Sequence, residues 1–588
     1  MPKSRQSNGC TASSGSLTQA LVHRSIHRPF SGGIVRSPAH WAILVAATLS
    51  ALGRPAPASD SGMWPDLDIR ISPLVVLANH GYFRFRFNEL YNLDLGSGGA
   101  SGFLVGVGAS DKGSNVTGAD LRLSLEPVLT VGEYLSVHAR VDLLDNIVLG
   151  ETPATFGAFA PAAFARTLAP PSDGRNAFRD SVRVKAAWAD IRLFERIHVL
   201  AGRMPEHFGL GILRNDGRGS DSDFGDYSDA VFVKVKLATA WFRIGMEFLG
   251  EGATTESPYR LDSIFDAESD DDIMRWTFVF DSKPVEKEER EARARRLLVE
   301  RKPVVDWGMY HSITKQKVSS ERVGGPLPAY CATGPLSPVG LPYDCYTLTP
   351  RGAFIWTPAL WGRLEWHPRS DLRLRVEAEA DLVYGFLDHA QAFVDTSKND
   401  TSKRFIQEGV ALEALAGVGP NEFGLLFGYA SGGNTQGRFG FLDAHTLAIP
   451  DDARWAADPV VSRYDVRHFW FNPDYRVDSI LFREVIGTVT NAIYVKPTYR
   501  LEAWRHGSMA LAVGAGFLVA MSAVPEGTPG KARMLGLEPS LSLDFKLGRF
   551  LSMKADAEVL FPLSGMRERT GGDPESAGAL RTSLVVGF

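Results

Sequence analysis

The stretch from Leu372 to Glu379, LRLRVEAE, alternates strictly between apolar and charged residues. Because successive side chains of a β-strand point to opposite faces, this pattern predicts a strand with one apolar and one charged face. The same period of two recurs from about residue 80 onward, for example over 121–126, 242–248 and 551–559. The sequence therefore predicts an all-β fold.

A soluble β-sandwich also alternates in this way, with its apolar residues turned inward. The long strands here favour a transmembrane antiparallel β-barrel, because soluble strands average only about 5–6 residues. The polar face is charged along whole strands, as a water-filled lumen requires, and aromatic residues cluster near strand ends, as an interfacial girdle requires. These aromatic residues are Tyr82, Trp361, Trp366, Tyr494, Tyr499 and Trp504. In hydrocarbon, a closed barrel also pairs every strand's backbone.

We predict about eighteen strands, and sixteen to twenty are compatible with the pattern. Single-chain outer-membrane barrels have even strand numbers, short periplasmic turns and long external loops. The long connections 148–179, 205–228, 314–352 and 431–488 all fall on one side of this assignment. The predicted strands are 80–94, 118–130, 133–147, 180–192, 196–204, 229–238, 240–250, 270–281, 303–313, 353–367, 371–385, 404–417, 420–430, 489–503, 507–521, 533–546, 549–563 and 577–588.

The N-terminal segment 1–58 has the pattern of a signal peptide. The apolar stretch 41–52 is too short to span a bilayer, and Ala56-Pro57-Ala58 resembles a cleavage site. A buried helix is the alternative, and the long region before the stretch indicates a later translation start, with Val35 as a candidate. We therefore predict export to the outer membrane of a Gram-negative bacterium, a short periplasmic lead-in at 59–79 and a barrel over 80–588.

Two cysteines, Cys331 and Cys345, lie in the predicted mature chain. Export places them in an oxidising compartment, so we predict one disulfide in a loop, with two free thiols as the alternative. Three cysteines in the whole chain are too few for a disulfide scaffold or a cysteine-rich metal site.

Composition and charge exclude other classes of protein. A mean hydropathy of −0.08 excludes a polytopic helical membrane protein. The net charge of −5 argues against a nucleic-acid partner. No catalytic signature is present, so we predict no enzyme activity, no cofactor and no metal. The acidic clusters around Asp221–Asp229 and Glu268–Asp272 do not match a twelve-residue calcium loop, so we expect solvated acidic loops there, with a Ca²⁺ site as the alternative.

Charged residues on the predicted lumen face are the candidates for pore lining. They are mixed in sign and slightly basic, so we interpret them as a salt-bridge ladder that stiffens the wall rather than as a selective filter, with a slight preference for anions. The candidates are Arg84, Arg86, Arg122, Arg140, Arg243, Arg373, Arg375, Glu377, Glu379, Lys496 and Arg500.

The segment 431–488 combines aromatic residues with paired charges, which a purely solvated loop does not need. We predict that it packs into or across the pore mouth, with an external cap as the alternative. Its constriction candidates are Arg467, Phe469, Trp470, Phe471, Asp474, Tyr475, Arg476, Asp478, Arg483 and Glu484. The segment 148–179 is a second inward-loop candidate. The charged segment 282–302 is predicted to be a solvated helical turn, with a partner-docking helix as the alternative.

Two stretches resemble known barrels. The run 471–478, FNPDYRVD, followed by ILFRE at 480–484, looks like one found in uncharacterised myxobacterial outer-membrane β-barrel proteins. It is more distantly similar to alginate-export-type porins, which are eighteen-stranded. The terminal strand, with Leu580, Leu584, Val586 and Phe588 on one face, resembles the C-terminal assembly signal of bacterial outer-membrane barrels and implies the barrel assembly machinery as a partner.

These features together predict a porin-like channel in the outer membrane that is narrowed by inward-folded loops. Its partners would be outer-membrane lipid and the ions or small polar solutes that diffuse through it. The alternative is a closed outer-membrane barrel with a structural, adhesive or gated export role. The sequence specifies neither the solute nor the oligomeric state.

Overall fold

The computed structural model describes residues 67–72, 74–96, 115–148, 182–194, 196–238, 240–250, 270–284, 286–322, 346–388, 402–433, 466–567 and 573–588. The signal peptide prediction, both cysteines of the predicted disulfide, nearly all of 148–179 and residues 434–465 lie outside these ranges.

Nineteen strands form one antiparallel sheet in the described part of the chain. Each strand from β2 to β18 pairs with the next, and β19 pairs with β2, so β2–β19 close into an eighteen-stranded barrel. The strands are β1 Leu67–Ser72, β2 Val75–Tyr91, β3 Asn115–Val131, β4 Leu135–Val148, β5 Val182–Leu193, β6 Ile197–Pro205, β7 Tyr227–Leu237, β8 Ala240–Gly250, β9 Ile273–Asp281, β10 Val304–Arg322, β11 Tyr346–Arg369, β12 Leu372–Leu387, β13 Lys403–Val418, β14 Asn421–Ala430, β15 Ala492–His506, β16 Met509–Ser522, β17 Met534–Leu547, β18 Leu551–Pro562 and β19 Ala577–Gly587.

The alternation in the sequence separates the two faces of this sheet. Apolar residues on the outer face remain exposed, such as Leu541 at 63%, Leu360 at 54% and Phe423 at 53%. Charged residues on the inner face are often buried, as Arg84 and Glu377 are. Every strand of the ring β2–β19 is paired on both sides, so a barrel with this apolar exterior satisfies its backbone in hydrocarbon. The prediction of an eighteen-stranded antiparallel barrel is therefore confirmed.

The strand boundaries differ from the prediction in two places. Strand β10 continues past residue 313, and strand β11 begins before residue 353. Much of the connection predicted at 314–352 is therefore strand. The backbone pairing of β10 and β11 extends to Arg322 and Tyr346, beyond the apolar alternation that marked their ends in the sequence. At the N-terminus, β2 begins at Val75, and β1 pairs with its first residues inside the predicted lead-in.

The two rims of the barrel differ in the length of their connections. Short turns join β3–β4, β5–β6, β7–β8, β11–β12, β13–β14, β15–β16 and β17–β18 at one rim, called the turn rim here. The start of β2 and the C-terminal Phe588 lie at the same rim. The segment 282–303 also connects its strands there. It contains the helix α1, Lys287–Ala294, which begins with a capping box formed by Glu286 and Glu289. A π-helical turn, Arg295–Val299, follows.

The seam between β19 and β2 closes the barrel. Leu580, Leu584 and Val586 pair with Glu89, Phe85 and Phe83 of β2. The backbone amides of Gly81 and Phe588 each donate to the other residue's carbonyl at 3.0 Å. A Cβ atom at Gly81 would lie 2.7 Å from the Phe588 ring, so glycine permits this close approach.

None of the helices in the described ranges has the length and apolar character needed to span a membrane.

Candidate functional site

Two connections that leave the other rim contact the charged inner face of the barrel. We call residues 206–226, between β6 and β7, segment A, and residues 466–491, between β14 and β15, segment B. The sequence predicts 205–228 only as a long external connection, so the contacts of segment A are a finding of the structure.

Inner-face arginines of β2 and β3 bind the backbone of segment A. Arg84 donates to the carbonyls of Ser220 and Ser222, each at 2.9 Å. Arg122 donates to the carbonyl of Ser222 at 2.9 Å and to that of Asp223 at 3.1 Å. Because guanidinium groups carry several fixed donors, each of these side chains holds more than one carbonyl of the segment.

Two further arginines extend this contact. Arg86 forms an ion pair with Asp223 at 2.7 Å and with Asp221 at 3.3 Å. On β4, Arg140 donates to the carbonyls of Asp216 and Gly217 at 3.2 and 3.1 Å. The expectation of a solvated acidic loop is therefore wrong for Asp223, whose side chain is only 18% exposed, whereas Asp221 is 54% exposed although arginines pair with it too.

The opposite wall binds the other end of segment A. Glu379 on β12 accepts hydrogen bonds from four consecutive backbone amides, including that of Gly211 at 2.9 Å. On β8, Arg243 pairs with Glu206 at 2.7 Å. Strand β3, which carries Arg122, and strand β12 are nine positions apart in a ring of eighteen. Segment A thus bonds to opposite walls.

Segment B binds segment A directly. The Asp474 carboxylate accepts from the backbone amides of Asp223 and Gly225, each at 2.7 Å. Arg476 pairs with Asp223 at 2.5 Å, and Arg483 pairs with Asp221 at 2.7 Å. The two segments therefore share one network of charges.

Strands β17–β19 hold the turn of segment B. Glu538 accepts from the backbone amides of Ile480 and Leu481, each at 3.0 Å, and Glu558 accepts from the Ser479 hydroxyl at 2.9 Å. Arg581 donates to the Ser479 carbonyl at 3.0 Å and also pairs with Glu484.

Further contacts come from β13 and β15. Lys496 donates to the Val477 carbonyl at 2.8 Å, and the Tyr475 hydroxyl donates to Glu413 at 3.2 Å. Asp478 binds within its own segment and caps the turn by accepting from the Phe482 and Arg483 amides.

An apolar core joins both segments to the wall. Phe469, Phe471, Ile480 and Leu481 are buried together with Ile212 of segment A. The same cluster contains Leu518, Leu535 and Leu560, which are fully buried on β16, β17 and β18. Each Å² of buried apolar surface contributes about 25 cal/mol to the free energy of folding. This core is therefore a main source of stability for segments A and B.

The surroundings of the segments shift the pKa values of several groups. Arg483, Arg476 and Arg86 hold the pKa of Asp221 below its usual range. Burial acts to raise the pKa of Asp223, but Arg86, Arg476 and Arg84 outweigh it and hold that pKa below the usual range. Burial raises the pKa of Asp478 to about 6. Burial lowers the pKa of His468 to about 4, because it disfavours the charged imidazolium.

A second set of inner-face charges lies nearer the turn rim and remains accessible. The Arg373 and Lys554 side chains are 57% and 49% exposed, and that of Arg375 is 40% exposed. They pair with carboxylates of the wall: Arg373 with Glu422 at 3.6 Å, Arg500 with Asp544 at 3.4 Å, Lys554 with Asp556 at 2.8 Å, and Arg375 with Glu377. Two of these pairs join different strands, and two lie within one strand. Around segment A, loop groups take the place of many strand partners.

Two constriction candidates lie at the edge of segment B. Arg467 is exposed, and its carbonyl accepts from the Ser431 hydroxyl at 2.6 Å. Trp470 is partly buried and forms a β-bridge with Thr490. In the described ranges, no group of three or more His, Cys, Asp and Glu side chains is arranged to hold a metal ion.

The fold and this interior define a class of protein, the closed eighteen-stranded β-barrel with connections that contact its inner face. Among solved structures, the chain is similar to OccAB3 of Acinetobacter baumannii, with 9% identity, a TM-score of 0.42 and coverage of 87% of this chain and 99% of the other. It is also similar to OpdL of Pseudomonas aeruginosa, with 10% identity, a TM-score of 0.42 and coverage of 87% and 98%. A third is the outer membrane protein opdK of that species, with 10% identity, a TM-score of 0.38 and the same coverage.

These similarities concern the fold alone, and at such low identity and TM-score nothing further is argued from them. No protein-family model matches the sequence, and no curated protein sequence matches it.

Proposed function

We propose that this protein is a porin-like channel of the Gram-negative outer membrane, through which ions or small polar solutes diffuse, and that segments A and B narrow it. The observation that supports the proposal is the difference between the outer and the inner face of the closed ring. Its outer face is apolar, and its inner face is lined by charges such as Arg373, Arg375 and Lys554 that remain accessible to water. Eighteen strands are enough to enclose an aqueous channel.

The proposed location follows from general properties of membrane barrels. Short turns face the periplasm and long loops face outward, so the turn rim is assigned to the periplasm. Export by the segment 1–58 and assembly through the strand that ends at Phe588 belong to this proposal, as does outer-membrane lipid as the partner of the apolar exterior. The resemblances of 471–484 to myxobacterial barrels and to alginate-export-type porins also belong to this proposal, but we infer no substrate from them.

The proposed passage has charges of both signs. Near the turn rim, accessible arginine and lysine side chains pair with carboxylates, so the field in the channel is mixed. We infer weak selectivity with a slight preference for anions, because the basic members of these pairs are the more exposed ones, as for Arg375 and Glu377.

A second candidate function is a closed barrel with a structural, adhesive or gated export role. The apolar cluster that joins segments A and B to β16–β18 favours it, because packed apolar side chains exclude water and ions.

Single-channel recording separates these two functions. Purified, refolded protein is placed in a planar bilayer under a KCl gradient. Discrete current steps would support the channel, and the reversal potential would give its charge preference. A folded, heat-modifiable barrel without current would contradict the channel and favour the closed barrel.

A second experiment tests the membrane location. Leu584 faces outward on β19, whereas its neighbour Ser583 faces inward and pairs with Lys554 of β18. We expect Leu584→Asp to block assembly, because a charge on the lipid face is unfavourable, and Ser583→Asp to assemble normally. Cell fractionation and heat-modifiability measure both. Equal assembly of the two variants would contradict a lipid-facing Leu584.

A further inference from the structure

The segment after helix α1 crosses from the inner to the outer side of the wall at the turn rim. Within α1, Arg293 forms ion pairs with Asp306 and Glu365, each at 2.8 Å, and both carboxylates belong to the inner face. Eight residues later, the Arg301 carbonyl accepts a hydrogen bond at 2.9 Å from the indole of Trp366.

Trp366 belongs to the outer face of β11. It shares that face with Leu360 and Leu364, which are exposed apolar residues, and it alternates with inner-face residues such as Glu365. Trp307, on the outer face of the neighbouring strand β10, is also exposed. Tryptophan residues at this position in a barrel mark the level of the lipid headgroups. The end of the segment therefore lies at the headgroup level.

The end of this segment, residues 295–302, consists mainly of basic and apolar residues. Arg295, Arg296, Arg301 and Lys302 are all exposed, and Glu300 is the single acidic residue among them, which leaves a net charge of +3 (four basic minus one acidic). Leu298 and Val299 are exposed at 46% and 73%. A soluble turn gains nothing from exposing two such side chains, whereas at a membrane surface they contact the acyl region.

The basic side chains are also held close together. The Lys302 amide donates to the Arg296 carbonyl at 3.1 Å, which folds the end of the segment back on the π-helical turn. Lys302 pairs with Glu300 at 3.0 Å. Throughout the described part of the chain, no carboxylate forms an ion pair with Arg295, Arg296 or Arg301. Their charge is therefore available to an external anion.

We propose that residues 295–302 bind the phosphate headgroup of an anionic phospholipid in the leaflet on the turn-rim side. The basic residues contact the headgroup, Leu298 and Val299 contact the upper acyl region, and Trp366 fixes the segment at that depth. This inference goes beyond the proposed channel, because none of these residues lines the interior.

Native mass spectrometry of the full barrel in neutral detergent tests the proposal. The probes are dioleoylphosphatidylglycerol, dioleoylphosphatidylcholine and the soluble glycerol 3-phosphate. We expect the wild-type protein to prefer phosphatidylglycerol over phosphatidylcholine. Replacing Arg295, Arg296 and Arg301 by Gln should reduce that preference at least about fivefold, because each basic residue near an anionic surface contributes about that factor.

The control removes the same charge at the same rim. Arg192, Arg369 and Arg505 each lie beside a carboxylate, Asp190, Asp371 and Glu502 respectively. Their triple Gln variant should keep the lipid preference. Both variants are first checked for folding by heat-modifiability.

Three outcomes of the lipid-preference measurements would overturn the proposal. These are a wild-type protein without preference for phosphatidylglycerol, an equal loss in the control variant, and an unchanged preference in the Arg295, Arg296 and Arg301 variant. Competition by glycerol 3-phosphate as strong as that by the lipid would also contradict a lipid site. Channel current is recorded on the same variants, so that a failure of lipid binding is distinguishable from a failure of the channel.

Discussion

The interior arginines of β2–β4 and the interior charges near the turn rim on β12–β18 occupy the same kind of sequence position but differ in environment. Arg84 and Arg122 are 0% and 2% exposed and bind carbonyls of segment A. Arg373 and Lys554 are about half exposed and pair with carboxylates of the wall itself. In the sequence, both sets are the polar members of alternating strands.

The difference shows that the connections, and not the strands, decide what an interior charge does. Removing the carboxylate that compensates a buried guanidinium costs several kcal/mol. An exposed pair is worth only about 0–1 kcal/mol. The first region therefore holds the segments in place, while the second remains available to solutes.

The largest expected effect comes from Asp223→Asn, which removes the carboxylate shared by Arg84, Arg86 and Arg476. We expect a loss of about 3 kcal/mol of unfolding free energy and a larger, noisier channel current. Asp544→Asn removes a partner of the partly exposed Arg500 and should cost less than about 1 kcal/mol. Thermal unfolding in detergent and single-channel recording measure both. Similar losses in the two variants would remove the distinction between the regions.

Glu379→Gln should have the next largest effect. The carboxylate accepts from four amides of segment A, and hydrogen bonds to a charged group are worth about 1.5–3 kcal/mol. We expect faster amide hydrogen exchange at 210–213, which mass spectrometry detects. Glu422→Gln, whose partner Arg373 is exposed, is the matched control and should leave that exchange unchanged. Unchanged exchange in Glu379→Gln would show that the apolar core alone holds the segment.

Segment B should respond to pH between about 4 and 6 through Asp478. Its pKa is raised to about 6, so the folded form binds the proton more tightly than the unfolded form. The stabilisation is complete below pH 4 and is lost as the pH rises through 6. We expect protection of the Phe482 and Arg483 amides, corrected for intrinsic exchange, to fall over this range in the wild-type protein and to stay constant in Asp478→Asn.

The arginine network should not contribute to that change. The pKa values of Asp221 and Asp223 are lowered, so their contribution is present above about pH 4 and is lost only on further acidification. Equal pH dependence in the wild-type protein and Asp478→Asn would contradict the assignment to Asp478.

Arg373→Gln should have the smallest effect on stability, below about 1 kcal/mol, because the Arg373 side chain is 57% exposed and that of its partner Glu422 is 32% exposed. If the channel is open, its reversal potential in a KCl gradient should shift toward potassium selectivity, since one accessible positive charge is lost. Arg84→Gln is the counterpart and should lower stability with little effect on selectivity. The opposite pattern would reverse the roles proposed for the two regions.

The sequence by itself determined the barrel. Alternation is a local property, so LRLRVEAE at 372–379 identified a strand and its two faces without knowledge of its neighbours. Each of the eighteen predicted strands corresponds to one strand of the barrel. The end of β10 was missed, because 314–322 is paired through its backbone but lacks the apolar period.

Only the tertiary structure decided which charges are buried and what they bind. Arg84 lies 136 residues from Ser220, and Arg476 lies 253 residues from Asp223. No local pattern relates positions so far apart. Side-chain composition marked 431–488 as unusual. Segment A also has a short apolar run, FGLGIL at 208–213, but such a run does not indicate which walls the segment contacts. Closure of the ring brought these partners together, because it places strands nine positions apart on facing walls.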